Sequence, residues 1–325
     1  MTEPAALPDA NSFAVQRARL SDGTELAFVR EGKGGVPLLM LHGWPSTKRI
    51  FYRNIGPLAA AGFEVIAPDA SGWGDSPASP HGYPDPVRST FQFAELMASL
   101  GHDRWVLAAF DFGSFTALDM TTRFPARIIR QLLWNPMVPL LPEAYDRAGC
   151  GGNLMQENLS LSSHITDHGA DPDAFAARFA DDAARAAYVR GFYQGRVWRT
   201  GGPRLNLAGE GNFDDSAAAF HAAPFASAET FRASINYYAA LLHPDKFFAE
   251  PMITLKVGAE TMFLYGTADQ IIGPIVTRRA EVAYERLVGP FLVDGGGHFL
   301  CWERPAVVNG ALRCLCRDIL PGHGS

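Results

Sequence analysis

Asp111 stands at the end of a strand-like run whose small neighbours decide what it can do. Trp105–Phe110 leads into Asp111-Phe112-Gly113-Ser114 and then a helical segment, with Ala109 and Gly113 two positions either side of the aspartate. A sharp strand-to-helix turn needs small residues there, because larger side chains would collide as the backbone reverses, and the apex residue is pushed out above the sheet edge. Serine at such an apex suits acyl carbon. A carboxylate is instead a weak, stable nucleophile that displaces a leaving group from an sp³ carbon and becomes an ester. The plainer reading of Asp111 is a helix cap.

An ester on a carboxylate must then be hydrolysed, which calls for a histidine base, a second carboxylate to orient it, and N–H donors for the oxyanion. His298 in Gly295-Gly296-Gly297-His298-Phe299 and Asp269 in Tyr265-Gly266-Thr267-Ala268-Asp269 each follow a strand-like run, in the chain order nucleophile, acid, histidine. His42-Gly43-Trp44-Pro45 closes an earlier run, where an oxyanion amide should lie. The Trp44 and Phe112 amides are the expected donors, the second aided by the positive end of its helix. Pro45 sets a special turn, a cis bond included, and His42 reads as structural, orienting that turn. The plain alternative there is a β-turn with a buried Trp.

These positions need a scaffold, and the composition allows a large one. The chain has 325 residues, 47% hydrophobic and 19% charged, with a net charge of −6; at about 150 residues per domain that is roughly two domain-equivalents. Disordered and fibrous classes are excluded. No apolar run approaches the roughly 18 residues of a membrane-spanning helix, and the start Met1-Thr2-Glu3-Pro4 lacks a signal-peptide layout, so a soluble cytoplasmic protein is expected. The acidic balance argues against nucleic acid or anionic membrane as a partner. Cys150, Cys301, Cys314 and Cys316 read as reduced core thiols.

Short apolar runs alternate with amphipathic stretches from Ser12 to about Asn135. Strands are expected at Ala14–Leu20, Glu25–Glu31, Pro37–Leu41, Glu64–Ala67, Trp105–Phe110 and Ile128–Trp134, and helices at Ser46–Ala61, Val87–Leu100 and Gly113–Phe124. The first two strands read as a hairpin around Asp22-Gly23 and the rest as βα units of a mostly parallel sheet. From Pro136 to about Pro251 strand runs disappear and Ala-rich helical segments such as Asp171–Phe192 and Ala226–Leu242 take over. The βα rhythm then resumes with a strand at Thr261–Tyr265, a helix near Gly273–Leu287, a strand at Phe291–Val293 and a helix at Pro305–Leu320. The expected division is a sheet domain of residues 1–135 and 252–325 with a helical cap of residues 136–251 between them.

Taken together, His42-Gly43-Trp44-Pro45, Gly72-Trp73-Gly74-Asp75-Ser76, the elbow at Asp111, Asp269 and Gly297-His298-Phe299 resemble α/β-hydrolases of the epoxide hydrolase and haloalkane dehalogenase group. The resemblance covers about two-thirds of the chain. It implies an α/β-hydrolase fold: a mostly parallel eight-stranded sheet flanked by helices, with an inserted helical cap. Ile235-Asn236-Tyr237-Tyr238 is similar to the lid segment where epoxide hydrolases carry a ring-opening tyrosine. Tyr238 is the proton donor by that match, and Tyr237 is the close alternative, since neighbours on a helix face about 100° apart. A second donor is commonly tyrosine. Here Ser160–His168 has no Tyr, and His164, His168 or no residue fills the role.

The choice of reaction follows from leaving-group handling. Halide release uses side-chain N–H donors, typically an indole directly after the nucleophile, but Phe112 has none and Trp44 offers one only. Fluoroacetate dehalogenases use arginines just after the nucleophile, and Phe112, Ser114 and Phe115 supply none. The resemblance therefore implies an epoxide hydrolase that forms an ester on Asp111 and clears it with water activated by His298 and Asp269. Its partners are a small apolar epoxide and water, with no cofactor and no metal. A haloalkane dehalogenase is the runner-up; an esterase using Ser114 and a non-catalytic ligand-binding pocket are the readings from other classes. Some relatives place the acid after the sixth strand, but this chain has the non-ionisable Asn135 there. Asp69 and Asp75 read as turn formers. Trp44, Phe112, Phe115, Phe192, Tyr193 and Trp198 suggest an apolar pocket, or simply core.

Overall fold

The computed structural model of the chain describes residues 7–152, 163–197, 204–205, 207–248 and 250–321. Trp198 and residues 160–162 of the stretch before His164 lie outside the described residues.

Eight strands form one sheet. β1 (Val15–Arg19) and β2 (Glu25–Glu31) make the expected antiparallel hairpin, turning at Gly23 with φ +85°. β2 also runs antiparallel to β4 (Phe63–Pro68). From there β3 (Val36–Leu41), β5 (Trp105–Phe110), β6 (Ile128–Pro136), β7 (Val257–Gly266) and β8 (Tyr284–Val293) join in parallel, in the spatial order β1-β2-β4-β3-β5-β6-β7-β8. Every residue of β4 and β5 is buried, as expected of central strands covered on both faces; β5 is apolar throughout, and β4 is apolar except for Glu64, which pairs with Arg30 at 2.5 Å. Helices α1 (Tyr52–Ala60), α2 (Pro86–Ser99) and α3 (Asp111–Arg123) connect the first half.

Between β6 and β7 lie α4 (Pro142–Arg147), α5 (Ser163–Ala170), α6 (Pro172–Ala176), α7 (Asp182–Gln194), α8 (Asp215–Ala222) and α9 (Ala228–Leu242). Among the described residues the strand content of this stretch is one ribbon of Arg196–Val197 with Arg204–Leu205. The stretch between β6 and β7 ends with α10 (Pro244–Phe247), and after β7 the chain closes with α11 (Ile275–Ala283), α12 (Leu300–Glu303) and α13 (Pro305–Leu315). Among the described residues no helix is long and apolar enough to cross a membrane.

Three expectations need correction. The Ala-rich segment Asp171–Phe192 is two helices rather than one, because Asp171 caps α6 through the Ala174 amide and Asp181 starts α7 through the Ala184 amide. The helix expected to reach Leu287 stops at Ala283, and β8 begins at Tyr284 instead of Phe291. β8 is an edge strand, so its outward positions tolerate the polar Glu285 and Arg286 that read as helical, and Arg286 pairs across to Glu260 on β7 at 2.7 Å. Of the four free thiols, Cys314 is exposed, since α13 turns that face to solvent; Cys150, Cys301 and Cys316 are buried.

Asp69 is more than a turn former. It is fully buried at the carboxyl end of β4 and accepts the Lys48 ammonium at 2.5 Å, the Lys48 amide at 2.8 Å and the Asp75 amide at 2.8 Å. Lys48, also buried, bonds the Asp75 carboxylate as well. This ion cluster ties the loop after β3 to the loop after β4. His42 adds a second tie: Nε2 accepts the Ala70 amide at 3.2 Å, which leaves the proton on Nδ1 to meet the Gly43 carbonyl at 3.3 Å. Burial pushes its pKa down, so the ring stays neutral in this structural role.

Replacing Lys48 by Met strands a buried carboxylate. Breaking one side of such a pair costs about 3–5 kcal/mol, so Lys48→Met should lower the urea midpoint sharply, and adding Asp69→Asn should recover part of the loss. A midpoint unchanged in Lys48→Met would mean that the cluster contributes nothing to stability.

Candidate active site

The elbow is built from absent side chains. Asp111 has φ +48°, a left-handed conformation that costs a non-glycine residue of the order of 1–3 kcal/mol. It is held there by close backbone approach. A Cβ on Gly113 would sit 2.4 Å from the Leu41 carbonyl oxygen, and one on Gly43 would sit 2.3 Å from Asp111 Oδ1. Ala109, the other small residue, is fully buried in β5. The Trp44 amide, next to the cis Trp44–Pro45 peptide, donates to Asp111 Oδ1 at 2.7 Å. The Phe112 amide lies in the first turn of α3, where N–H groups have no intrahelical acceptor. Ser114 is fully buried, bonded to the Asp111 carbonyl and accepting the Met137 amide at 2.8 Å, so its hydroxyl is committed to the fold.

His298 and Asp269 come to the same edge of the sheet. His298 Nε2 lies 3.3 Å from Asp111 Oδ2, and Nδ1 lies 2.7 Å from Asp269 Oδ2. Asp269 is fixed in turn by the Ile271 and Ile272 amides, at 2.8 and 3.0 Å from Oδ1. Burial alone would push His298 down, but the charges of Asp269 and Asp111 and their hydrogen bonds more than offset it and raise the pKa to about 10. At neutral pH the free site therefore holds an imidazolium between two carboxylates.

Asn135, where an acid was weighed, has its own place. It is fully buried with φ +41°, accepts the Gly266 amide at 2.7 Å and donates to the Gly297 carbonyl at 2.7 Å. An amide can accept and donate at once, whereas a carboxylate only accepts, so Asn135 couples the end of β7 to the histidine loop.

Facing this edge is α9. The Tyr238 ring meets Phe112 edge-on at 4.7 Å and Trp44 at 5.5 Å. Burial, and after it the Asp111 charge, holds its phenol well above the ordinary value, so it is a neutral O–H. Among the described residues the Tyr238 hydroxyl has no hydrogen bond. Tyr237 points elsewhere: its hydroxyl bonds Ser89 on α2 at 2.6 Å and its ring stacks on Phe112 at 5.2 Å. His164 is buried, with its ring 5.9 Å from Trp44 and 5.5 Å from Tyr238. His168 packs 4.7 Å from Tyr238 but has Nε2 in a 2.7 Å hydrogen bond with the Tyr188 hydroxyl. The Trp44 indole N–H reaches Ser234 Oγ on α9 at 3.3 Å.

Of the aromatic residues expected to line a pocket, Phe192 abuts Trp44 at 4.5 Å, and Phe115 lies behind Phe112 at 6.4 Å. Tyr193 bonds the Pro45 carbonyl through its hydroxyl and packs on Phe299 at 4.8 Å. Lys48 and Glu303 are among the buried charges that escaped the sequence reading. Lys48 had no signal beyond its place four residues past Trp44, and Glu303 only its place soon after His298.

A family model described as the alpha/beta hydrolase family matches residues 38–311. A juvenile hormone epoxide hydrolase of Bombyx mori is 37% identical over 89% of this chain and 66% of its own. A soluble epoxide hydrolase of Corynebacterium sp. (strain C12) is 32% identical over 53% of this chain and 56% of its own. The chain thus spans less than two-thirds of either relative. Among solved structures, epoxide hydrolase CorEH without ligand superposes with a TM-score of 0.77 at 22% identity, covering 94% of this chain and 99% of the other.

The charge on Asp111 is separable from its shape. Asp111→Asn should lower the His298 titration from about 10 by more than one pH unit, read by imidazole ¹⁵N chemical shifts. The same linkage sets stability: the raised folded-state value contributes in full below the unfolded value near 6.5 and fades as pH rises through about 10. In the variant it should fade earlier. An unmoved titration would assign the raised value to Asp269 alone.

Proposed function

The chain belongs to the alpha/beta hydrolase family, and from that premise we propose that it is an epoxide hydrolase converting a small apolar epoxide and water to a vicinal diol. The observation that carries this reading is the neutral Tyr238 phenol facing a carboxylate nucleophile, because an epoxide oxygen needs a proton as its ring opens and a departing halide does not. The named activities of the Bombyx mori and Corynebacterium relatives support it. The indole N–H of Trp44, the donor a dehalogenase would use, is turned to Ser234. Residues 136–251 act as the cap in this proposal, and residues 1–135 and 252–325 as the core. A cytoplasmic setting belongs to the same proposal.

In the first step Asp111 Oδ2 attacks an epoxide carbon, the ring C–O bond breaks toward oxygen, and Tyr238 gives that oxygen its proton. His164 is the proposed second donor. The product is a hydroxyalkyl ester, and Asp111 loses its charge. His298 then loses one of the two groups that kept it protonated, so its extra proton passes to the Tyr238 phenolate and a neutral base is left. In the second step His298, oriented by Asp269, takes a proton from water as its oxygen adds to the Asp111 carbonyl carbon. The Trp44 and Phe112 amides hold the oxyanion. Collapse breaks the acyl C–O bond, the leaving alkoxide takes the remaining hydroxyl proton, and the imidazolium–carboxylate pair returns with the diol.

Purified protein incubated with mixed aryl and alkyl epoxides and matched haloalkanes should release diols and no halide, and Asp111→Ala should release neither. In ¹⁸O-water the first turnover should label Asp111 and leave the first diol unlabelled. Halide release would transfer the assignment to a dehalogenase, and a labelled first diol would exclude the ester route.

Tyr238→Phe should slow turnover by about 10²-fold, the lower end of what a positioned proton donor contributes. Tyr237→Phe should instead leave the rate within a few-fold and lower stability by about 1 kcal/mol through the lost Ser89 bond. The reverse pattern would exchange their roles.

A further inference from the structure

Glu303 is a carboxylate buried at the end of α12, five residues past the histidine, and its two oxygens collect four N–H groups. Oε1 accepts the Phe299 amide at 2.9 Å; Oε2 accepts the Gly297 amide at 2.9 Å, the Gly209 amide at 2.8 Å and Asn212 Nδ2 at 2.6 Å. The first pair of donors brackets His298, and the second pair belongs to the segment between α7 and α8. The His298 amide itself donates to the Leu207 carbonyl of that segment at 2.7 Å. The two backbones touch: a Cβ on Gly297 would lie 2.2 Å from the Gly209 nitrogen, and one on Gly209 would lie 2.6 Å from the Gly295 carbonyl oxygen. Arg304 closes the seam from outside, donating to Asn212 Oδ1 at 3.0 Å and to the Gly295 carbonyl at 3.1 Å.

Burial pushes the Glu303 pKa up while its four donors pull it down. Among the described residues none of its contacts is an ion pair, so N–H dipoles alone compensate the buried charge. Such a group is costly to bury and is stable only with every donor in place. That makes it a latch that closes only when both segments are docked.

We propose that Glu303 is a positioning residue for the hydrolytic half of the reaction, clamping the Leu207–Asn212 segment of the cap onto the His298 loop so that the imidazole faces both Asp269 and the ester on Asp111. The inference rests on the epoxide hydrolase reading. Ring opening uses Asp111 and Tyr238, neither of which Glu303 touches, whereas ester hydrolysis uses His298, whose main chain the clamp holds on both sides. Misplacing a reacting group by about 1 Å costs on the order of 10²-fold. The loss should therefore fall on the second step.

Single-turnover kinetics with an epoxide that the wild type converts, together with mass spectrometry of the Asp111 peptide, separate the two steps. Glu303→Ala should slow ester hydrolysis by about 30-fold or more and alkylation by less than about 5-fold, so the ester accumulates. Glu303→Gln, whose amide oxygen keeps the three donors of Oε2, should hydrolyse within about 5-fold of the wild type. Equal slowing of both steps, or of neither, would overturn the proposal. Should Glu303→Ala fail to fold, Asn212→Ala removes the cap-side side-chain donor to Glu303 together with the acceptor for Arg304, and should slow hydrolysis selectively by about 3- to 10-fold, while unchanged hydrolysis overturns the clamp. A wild type that opens no epoxide fails the parent reading instead. The His298 titration by NMR, which needs no substrate, then decides: a midpoint displaced in Glu303→Ala or Asn212→Ala supports the clamp, and an unmoved one removes it.

Discussion

A carboxylate in the left-handed region at φ +48° stays there only if its surroundings leave it no alternative. Around Asp111 that enclosure is made by backbone, with Gly113 against the Leu41 carbonyl and Gly43 against the carboxylate itself. β5, which carries the elbow, is buried along its whole length between β3 and β6, so the strain is borne by the stiffest part of the sheet. From this one fit the rest follows. The Trp44 amide meets Oδ1 because the strand end at Leu41 is pressed against α3. The Lys48–Asp69 cluster and His42 then fix that loop from behind.

Electrostatics gives the site a sequence of states. Two carboxylates around one buried imidazole together raise its pKa to about 10, so His298 in the free site is an acid, not a base. In the proposed cycle the base appears only when Asp111 becomes a neutral ester. Water activation before there is an ester to hydrolyse is thereby suppressed, and the switch needs no moving part. In that cycle Asp269, anchored by the Ile271 and Ile272 amides, keeps the imidazole in one orientation as its proton count changes.

What the sequence made legible is what local rules encode. The elbow was readable because Ala109 and Gly113 flank Asp111 at fixed spacing, and the sheet because β2 and β5 are short apolar runs with turns at both ends; both strands lie at their expected limits. The break between α6 and α7 was also local, written in Asp171 and Asp181, but the surrounding alanines masked it. Choosing between Tyr237 and Tyr238 needed the third dimension. Adjacent helix positions differ only in what stands opposite, and that is Ser89 on α2 for one and the Asp111 edge for the other. Lys48 and Glu303 were illegible for the same reason in stronger form. A buried charge is licensed by its partners, and those of Glu303 include Gly209 and Asn212, far back in the chain. No spacing rule connects them.

These long-range contacts also change what the helical insertion is. Trp44 presents its amide to the Asp111 carboxylate and its indole to Ser234 on α9, so one residue joins the elbow to the helix that bears Tyr238. Tyr237 binds the same helix to α2, and Tyr193 on α7 holds the Pro45 carbonyl beside Trp44. The insertion is thus fastened to the loop after β3, to α2 and to the histidine loop. In the proposed cycle this holds the Tyr238 donor relative to Asp111 before substrate arrives, so little orientational freedom is left to lose on the way to ring opening. A flap that closed anew over each substrate would have to order Tyr238 every time; an insertion fastened at these points orders it during folding.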